Sequence, residues 1–595
     1  MAVEKLIVDH IDTWTTALQT RSTAGRGSSG KIDLYGIKKL RELILELAVR
    51  GKLVPQDSND EPASVLLERI AAEKAELVKQ GKIKKQKPLP EISEEEKPFE
   101  LPAGWEWVRL NDVAEYIQRG KGPKYSEHGH VRVVSQKCVQ WNGFKLEQSR
   151  WITDESVAAY TEERFLKDGD VLWNSTGAGG TAGSVIYLPA VTEKLVVDSH
   201  VTLIRTIKQN GQFICNYIST YGIQQRFDPK HPNTLLSGTT NQAELNTSVV
   251  ISFMTPFPPQ KEQERINSKV AELMTFCDQL EQHSLTSLDA HQQLVETLLT
   301  TLTNSQNADE LAGNWARISE HFDTLFTTEA SIDTLKQTIL QLAVMGKLVP
   351  QDPNDEPASE LLKRIAQEKA QLVKDGKMKK QKPLPPISDE EKPFELPDGW
   401  VWCQVNDIGD LKLGRQRSPK DHHGPYMTPY LRVANVHDNE IRTDDIKLMN
   451  FTPEEQTLYS LKFGDILLNE GQSLELVGRS AIFRDEIAQV CFQNTLIRLR
   501  AKESVSNEYI LEYFRHCLYS GRFQKAATQT TNIAHLSISR LAPIEFPLPP
   551  YKEQVRIVSK IKKLEILCEN IKTKLKSAQQ TQFHLADALT DAAIN

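Results

Sequence analysis

Residues Leu47–Trp105 read LAVRGKLVPQDSNDEPASVLLERIAAEKAELVKQGKIKKQKPLPEISEEEKPFELPAGW, and the stretch returns almost unchanged as Leu342–Trp400. Extended by one residue to Glu46 and Gln341, the two copies are identical at 48 of 60 positions, at a constant offset of 295. Solenoid repeats are only ~20–50 residues long, so this period indicates a duplicated half-molecule and not a solenoid. We call each copy a frame repeat.

The residues that follow each frame repeat, from about Trp105 to Pro258 and from Trp400 to Pro549, have diverged. They share landmarks in the same order, which are Gly169-Asp170-Val171-Leu172 with Gly464-Asp465-Ile466-Leu467, Asn174 with Asn469, Thr202-Leu203-Ile204-Arg205 with Thr495-Leu496-Ile497-Arg498, Thr239-Thr240-Asn241 with Thr530-Thr531-Asn532, and Pro258–Gln263 with Pro549–Gln554. The offset drifts from 295 to 291, which indicates one fold with different loops. A constant frame with two divergent inserts predicts one partner bound twice and two different targets.

Length and composition are those of an ordinary globular protein. The 595 residues predict about four domains at ~150 residues each. No run of ~18 apolar residues is present to span a membrane, and acidic residues interrupt the first apolar run, which argues against a signal peptide. Seven dispersed cysteines without a CxxC pair predict reduced, mostly buried thiols in a cytoplasmic protein, with neither zinc nor disulfides. The net charge of −7 gives no support to nucleic-acid binding, so any DNA-binding face must be local.

Apolar spacing predicts the secondary structure of the frame and of the inserts. In the frame, a helix is expected from Ile32 to Val49, after a Gly/Ser-rich linker, and a second from Pro62 to Gly81. Strand-like alternation in the first insert predicts strands at Val131–Val134, Gly183–Leu188 and Val201–Ile207. Helices are expected at about Phe213–Arg226 and Tyr509–Arg522. Each insert is therefore predicted to be a mixed α/β domain of mainly twisted sheet, which makes the whole chain α+β.

Each insert runs through a Pro-Pro pair into a long amphipathic helix. The apolar positions step by four and three residues, at Ile266, Val270, Leu273, Cys277 and Leu280, and at Ile557, Ile561, Leu564, Cys568, Ile571 and Leu575. This spacing is typical of coiled coils, although a helix packed on its own domain would also produce it. Two copies at corresponding places favour long antiparallel coiled-coil helices that pair and separate the two inserts, related by a pseudo-two-fold repeat.

Catalytic motifs are absent where the sequence comes nearest to them. The glycine run Gly177–Gly183 has no Gly-Lys-Ser/Thr and precedes a strand, so a DNA-facing loop is favoured over a nucleotide site. Leu548-Pro549-Pro550-Tyr551 resembles the Asp/Asn-Pro-Pro-Tyr motif of amino-methylating enzymes, but Leu548 cannot accept a hydrogen bond from a target amine. It and Phe257–Gln260 are therefore interpreted as strand-to-helix junctions. The histidines form no HExxH or deaminase pattern.

Polar and basic residues gather in the predicted loops of both inserts. The first set is Arg119, Lys121, Lys124, Tyr125, Gln136, Lys137, Asn174, Ser175, Thr176, Thr239, Thr240 and Asn241. The second set is Arg415, Arg417, Lys420, Asn435, His437, Asn469, Gln472, Ser473, Thr530, Thr531 and Asn532. Arg and Lys suit guanine edges, Asn and Gln suit adenine, and Ser and Thr suit phosphates or either base. Any one of them is more often a solvated turn residue, but their recurrence in twin domains favours a DNA-binding role.

Duplicated helical segments that carry two variable domains resemble the specificity subunit of a Type I restriction-modification enzyme. The resemblance covers nearly the whole chain and is most specific at the LPxGWxW sequence that begins each insert (Leu101–Trp107 and Leu396–Trp402), the Gly-Asp-(Val/Ile)-Leu landmark and the Pro-Pro-x-Lys-Glu-Gln sequence that ends each insert. The GKLVPQD sequences at Gly51–Asp57 and Gly346–Asp352 are most similar to the subfamily called Type IB.

This resemblance implies a non-catalytic DNA-reading subunit. The inserts would be target recognition domains, each binding one half of a bipartite, asymmetric DNA target. Each half of the frame would dock a modification subunit that methylates adenine with S-adenosylmethionine, and restriction subunits would add translocation and cleavage with ATP and Mg²⁺. No cofactor, metal or catalytic residue is expected on this chain. The alternatives are a self-contained adenine methyltransferase and a coiled-coil scaffold that does not bind DNA.

Five segments follow from this interpretation. They are an N-terminal helical region at 1–104, the first recognition domain at 105–258, a central helical region at 259–399, the second recognition domain at 400–549, and a C-terminal helix at 550–595.

Overall fold

The computed structural model describes residues 3–21, 31–85, 87–176, 182–238, 243–376, 383–529 and 533–594. The predicted linker around 22–30, most of the glycine run and the two Thr-Thr-Asn landmarks lie outside these residues. The chain folds into two compact units, one made of 3–20, 32–286 and 579–594 and the other mainly of 287–578. Each recognition domain therefore belongs to one unit together with one frame repeat.

The first unit contains shorter helices, short strands and a part of each long helix. Its helices are Val3–Asp9, Ile11–Thr16, Tyr35–Val49, Ala63–Lys79, Leu110–Val113, Asp154–Ala158, Gly211–Ile218, Tyr221–Gln225, Thr247–Ser252, the first part of Gln260–Thr303 and the last part of Tyr551–Ile594. Its strands are Glu106–Arg109, Ala114–Arg119, Arg132–Val134, Val139–Gln140, Gly143–Phe144, Arg150–Trp151, Val171–Asn174, Val185–Tyr187, Leu195–Val197, Val201–Thr206 and Met254–Phe257. Two further short strands, Gln19–Arg21 and Lys31–Asp33, precede the first frame helix.

The second unit has the same organisation. Its helices are the last part of Gln260–Thr303, Ala308–Glu320, Phe322–Leu325, Glu329–Val344, Ala358–Lys374, Val405–Ile408, Pro453–Tyr459, Asn507–Tyr519, Arg522–Ala526, Ile538–Leu541 and the first part of Tyr551–Ile594. Its strands are Val401–Gln404, Gly409–Leu413, Met427–Leu431, Val436–His437, Glu440–Ile441, Lys447–Asn450, Ile466–Asn469, Gly471–Gln472, Ser480–Ile482, Cys491–Phe492, Leu496–Ala501, Thr528–Gln529, Ala534–His535 and Glu545–Leu548.

The first frame helix, Tyr35–Val49, follows the predicted apolar spacing and buries Leu40 and Leu47. It ends two residues before Gly51, whose φ of +66° is a conformation that residues with a Cβ rarely adopt. A Cβ there would also lie 2.5 Å from Cγ of Pro102, in the LPxGWxW sequence that begins the first insert. The glycine therefore stops the helix and lets the start of the insert pack against the turn.

Two long helices of 44 residues each, Gln260–Thr303 and Tyr551–Ile594, confirm the helices predicted from the heptad spacing. In the first unit Ile266 and Cys277, two of the apolar side chains at heptad spacing, are fully buried. Arg41 of the frame helix binds both Asp278 (2.7 Å) and Glu281 (2.8 Å) of the long helix. The frame helix Tyr35–Val49 is thus joined to the long helix of its own unit by two ion pairs.

The second unit repeats this arrangement with its own side chains. Lys336 of the frame helix Glu329–Val344 pairs with Glu569 of the long helix at 2.7 Å, and Lys572 of the long helix pairs with Asp333 at 2.7 Å. Its core combines side chains of both long helices with those of the frame helix and the recognition domain.

The central sheet of the first recognition domain is antiparallel, in the order Val185–Tyr187, Val171–Asn174, Val201–Thr206, Ala114–Arg119. The second domain has the same order, with Ser480–Ile482, Ile466–Asn469, Leu496–Ala501 and Gly409–Leu413 in the corresponding positions. Each domain also has a three-stranded sheet with one parallel and one antiparallel pair. The prediction of one fold for both inserts is confirmed.

One landmark match is wrong by two residues. Asn174 pairs with Val201 in the first domain and Asn469 pairs with Leu496 in the second, so Thr202–Arg205 corresponds to Ile497–Arg500 and not to Thr495–Arg498. The strand period is two residues, so a slip of two leaves the inward and outward alternation unchanged and cannot be detected from the apolar pattern. The offset therefore stays at 295 through this strand, and the drift to 291 arises later.

The predicted insert helices are also broken in two. The first stops at Ile218 and resumes at Tyr221, and the second stops at Tyr519 and resumes at Arg522. In the second domain Gly521 at φ +75° provides the break.

Both Pro-Pro sequences are strand-to-helix junctions, as predicted. Strand Met254–Phe257 leads through two prolines into the helix at Gln260, and strand Glu545–Leu548 leads likewise into the helix at Tyr551. All seven cysteines are free and buried, as expected for reduced structural thiols. Among the described residues, no helix combines the length and hydrophobicity needed to cross a membrane.

Candidate nucleic-acid interface

One end of each central sheet collects most of the predicted loop residues. In the first domain Arg119, at the end of its strand, lies across from Thr202, and Asn174 lies across from Val201. Thr176 and Glu244 form an isolated bridge at the same end. Antiparallel register therefore brings three chain segments, distant in sequence, to one edge.

In the first domain the exposed candidates at this end are held by local contacts. Lys121 Nζ donates to the carbonyl of Ala159 at 3.0 Å, and Lys124 pairs with Glu155 at 3.1 Å in solvent. The guanidinium of Arg150 lies 3.8 Å from the ring centre of Tyr125. These exposed cations and this exposed stacked pair are accessible to a polyanion.

Three further candidates of the first domain have partners within the protein. Arg119 pairs with Glu244 at 2.9 Å, and Thr176 hydrogen-bonds to Nδ1 of His200 at 2.6 Å. The Gln136 carbonyl accepts a hydrogen bond from the Asn174 amide at 3.2 Å. The adjacent Lys137 is exposed.

Four predicted DNA-binding residues are interior residues, which corrects their assignment. Asn174, Ser175, Asn435 and Asn469 have relative exposures of 0–2%. Asn174 donates to the carbonyl of Val139 at 2.9 Å, and Ser175 shares a 2.5 Å hydrogen bond with Thr202. The sequence pattern could not separate them from true surface residues, because a polar residue at the end of a buried strand has the same local sequence in both cases.

Asn435 shows how a buried amide shapes a loop of the second domain. Its side chain donates to the carbonyls of Arg442 (3.0 Å) and Asp445 (3.1 Å) and accepts from the backbone N–H of Arg432 (3.1 Å). It therefore fixes the loop from inside and is unavailable to a base in this conformation.

The Arg and Lys candidates of the second domain differ in whether the side chain is held in ion pairs or exposed to solvent. Arg415 is held between Asp421 and Glu455, each at 2.8 Å, and is a structural ion-pair residue. Arg417 is exposed and donates to His422 at 3.1 Å. Lys420 is exposed as well. Only the last two side chains are accessible cations.

Of the remaining described candidates, His437 lines a recess, and Gln472 and Ser473 lie just before the loop that forms one of its walls. His437 lies on the hairpin Val436–Ile441, and Gln472 and Ser473 begin the loop that leads to Arg479. Burial, with Arg479 and Arg442 close by, holds the pKa of His437 below its ordinary value, which favours the neutral imidazole. Thr239, Thr240, Asn241, Thr530, Thr531 and Asn532 lie outside the described residues.

Sequence reasoning missed several residues that the structure brings to these surfaces. Trp141, at the tip of the hairpin Val139–Phe144, is 55% exposed. Arg150 stacks on Tyr125, and Arg442 and Arg479 flank His437. The two-residue hairpin turn was a usable signal for Trp141, whereas the arginines meet their neighbours only in the folded domain.

The described residues contain no group of three or more His, Cys, Asp or Glu side chains placed to hold a metal ion.

Comparison with known proteins follows the internal duplication. A family model described as the Type I restriction modification DNA specificity domain matches residues 102–290 and again 397–580. The specificity subunits of the Escherichia coli Type I restriction enzymes EcoAI and EcoEI are each 49% identical to this chain over the full length of both proteins. The solved HsdS subunit from Thermoanaerobacter tengcongensis aligns with 84% of this chain and 98% of its own, at 17% identity and a TM-score of 0.41. The chain belongs to the family of Type I restriction-modification DNA specificity subunits.

Proposed function

We propose that this chain is the DNA-reading subunit of a Type I restriction-modification complex. Each recognition domain binds one half of a bipartite, asymmetric target in double-stranded DNA. The observation that carries the proposal is the pair of domains with one strand order and different side chains at the same sheet end. Two such domains in one chain read two different sequences, because their shared strands fix where the loops lie and their loops supply different donors and acceptors.

The frame repeats dock two copies of one modification subunit. Their sequences are identical at 48 of 60 positions, so they present two nearly identical surfaces, and a partner that fits one fits the other. Restriction subunits join the same complex. Methyl transfer to adenine with S-adenosylmethionine, and ATP- and Mg²⁺-dependent translocation and cleavage, belong to those partners.

The complex works in the cytoplasm. Seven free, buried cysteines fit a reducing compartment, and DNA that is to be modified or restricted lies there.

Methylome sequencing tests the function directly. Cells that carry this chain with its modification subunits should show adenine methylation at one bipartite, asymmetric motif that disappears when the chain is deleted. The purified chain alone, mixed with S-adenosylmethionine and DNA, should transfer no methyl group. Methylation by the chain alone would establish a methyltransferase instead, and a motif that survives deletion would contradict the proposal.

Native mass spectrometry tests the docking surfaces. The saturated complex should contain two modification subunits per chain. Saturation at one subunit per chain would mean that the two frame repeats do not present equivalent sites.

A further inference from the structure

A recess of about 680 Å³ opens in the second recognition domain. Its walls are the hairpin Val436–Ile441, the loop at 474–479 and the residues around the end of helix Asn507–Tyr519. The recess lies at the predicted DNA end of the central sheet, because the backbone N–H of Asn469, the last residue of its strand, donates to the carbonyl of Arg479 at 2.9 Å. Gln472 and Ser473 continue from that strand end into the loop that forms one wall.

Arg479 is the cation of this recess that lacks a carboxylate partner. Within the described part of the chain, no carboxylate oxygen lies within 4.0 Å of its guanidinium, and its buried Nε has no hydrogen-bond partner. Burial and the neighbouring Arg442 hold its pKa below the usual value, with Asp438 acting in the opposite direction. A half-buried guanidinium that its surroundings disfavour gains from an added anion.

The other charged groups of the recess are already engaged or lie at its rim. Asp438 accepts two hydrogen bonds from Arg515, at 3.0 and 3.1 Å, and one from the Tyr519 hydroxyl at 2.7 Å. Arg442 pairs with Glu440 at 2.9 Å, at positions about half exposed to solvent.

Two more titratable groups face the recess. Glu475 is exposed on the loop wall, and His437 is favoured in its neutral form. Arg479 is therefore the recess cation that combines a buried N–H without a partner with the lack of a carboxylate within 4.0 Å, among the residues that the structure describes.

We propose that Arg479, with Arg442 beside it, binds a phosphate group of the DNA backbone next to the half-site that the second domain reads. The inference rests on the proposed function and adds one contact to it. A planar guanidinium offers a fork of N–H donors that matches two phosphate oxygens, and such contacts set the register of a protein on the duplex without reading a base. In the first domain the same register position is Ser184, which is buried and hydrogen-bonded to Asn174 at 2.6 Å, so this contact belongs to the second domain alone.

The test measures binding of the complex with its modification subunits to DNA that carries the methylome-defined motif, at several salt concentrations. Each phosphate contact contributes about 0.9 to the slope of log K against log salt. Arg479→Gln should lower that slope by about one and weaken binding by roughly tenfold at a fixed salt concentration. Arg479→Lys keeps the charge and should keep most of the slope.

Lys462→Gln is the matched control. It removes one exposed positive charge at the other end of the same strand, just before Ile466–Asn469, and should leave the slope unchanged. The methylated motif should be the same for all the variants, which also shows that both domains are folded.

Each other outcome overturns the proposal in a distinct way. If the salt slope of Arg479→Gln equals that of the wild type, Arg479 does not bind a phosphate. If the variant instead accepts other bases at one position of the second half-site, Arg479 contacts the edge of that base. If DNA-free complex binds inorganic phosphate through Arg479 while the salt slope is unchanged, the site takes free phosphate and not DNA. If the wild-type complex shows no preference for motif DNA, the proposed function fails and not this contact alone.

Discussion

The hairpins Val139–Phe144 and Val436–Ile441 occupy the same place in the two recognition domains but are held differently. In the first domain the buried amide of Asn174 binds the hairpin carbonyl of Val139, and the turn residue Trp141 is left 55% exposed. In the second domain the turn residue is Asp438, which is bound by Arg515 and Tyr519 of the neighbouring helix.

The difference shows how one fold presents two surfaces. In the first domain the hairpin is held through the carbonyl of Val139, so the side chain of its turn residue Trp141 stays exposed. In the second domain the helix binds the turn residue Asp438 itself, so the accessible cation lies instead on the neighbouring loop, at Arg479. Both central sheets keep the same strand order, since these side-chain contacts are not part of the backbone hydrogen bonds that pair the strands.

The frame contacts, in contrast, are the same in both units. The matched pairs are Trp105 Nε1 to Glu262 (2.9 Å) with Trp400 Nε1 to Glu553 (3.0 Å), Gln56 to Glu262 (2.5 Å) with Gln351 to Glu553 (3.0 Å), and Arg265 to Asp60 (2.6 Å) with Arg556 to Asp355 (2.8 Å). Burial raises the pKa of Glu262 and of Glu553, while the tryptophan and glutamine donors act against that rise. The start of each recognition domain is therefore fixed by one repeated set of polar contacts.

Replacement of a whole recognition domain should have the largest effect. If Trp105–Pro258 is exchanged for the corresponding domain of another family member, the contacts of Gln56 with Glu262 and of Asp60 with Arg265 lie outside the exchanged segment, and only one half of the methylated motif should change completely. Methylome sequencing of the chimera measures this. A change in both halves would show that the two domains do not read independently.

Removal of the buried carboxylate at each central sheet, Asp170 or Asp465, should lower the free energy of unfolding by different amounts in the two domains. Asp170 pairs with Arg205 through two 2.7 Å contacts, and both are buried, so Asp170→Ala leaves the buried Arg205 with a single, longer carboxylate contact, 3.9 Å to Glu115, at a cost of about 3–5 kcal/mol. Asp465 pairs equally closely with Arg500, but the Arg500 side chain is 32% exposed and can be hydrated, so Asp465→Ala should cost only about 1–2 kcal/mol.

Hydrogen-exchange protection of strands Val171–Asn174 and Ile466–Asn469 reports the two losses separately. Glu162→Ala, at an exposed position near Asp170, is the control and should change neither. Equal losses for the two aspartates would mean that exposure of the arginine does not decide the cost.

The second domain alone should show a pH-dependent stability term from its insert helix. Burial raises the pKa of Glu512 from 4.5 to about 7, although Arg515 donates to it at 2.8 Å. The folded state therefore holds a proton that the unfolded state releases, and this contribution to stability falls as pH rises from about 4.5 to 7. Helix Gly211–Ile218 of the first domain, with the sequence GQFICNYI, contains no carboxylate.

Glu512→Gln should remove that decline, which is on the order of 1–3 kcal/mol across the window. The opening free energy of helix Asn507–Tyr519, from hydrogen exchange at several pH values, gives the measurement. Burial lowers the pKa of His516 in the same helix to about 4, which makes its contribution to stability rise with pH over nearly the same window. The difference in opening free energy between wild type and variant isolates Glu512, and this difference should fall as pH rises from about 4.5 to 7. A difference that stays constant across the window would assign no pH-dependent term to Glu512.

The smallest expected effects come from single candidate residues of the first domain, where an exposed and a buried candidate should respond differently to substitution. Lys137→Gln removes an exposed charge and should reduce the salt dependence of DNA binding by at most one phosphate contact, with no loss of stability. Asn174→Ala should instead lower stability by about 1–3 kcal/mol, because it removes the buried hydrogen bonds from the Asn174 amide to the carbonyl of Val139 and to the Ser184 hydroxyl. Salt titrations and hydrogen exchange on both variants distinguish these results.

The sequence by itself determined the duplication, the long helices, the strand-to-helix junctions at the Pro-Pro pairs and the family. These are local or repeated features: heptad spacing fixes which helix face is buried, and the two prolines at each junction lack the backbone N–H donors needed to continue the strand. Only the tertiary structure decided the pairing register of Thr202–Arg205 with its counterpart, because a two-residue slip preserves alternation.

The tertiary structure also decided which candidates can meet a ligand. Asn174 and Asn469 end buried strands, whereas Arg479, 10 residues beyond Asn469 in sequence, is brought beside it by the hydrogen bond across the sheet end. Burial and the arrangement of charges depend on contacts between distant segments, so no local pattern could reveal them.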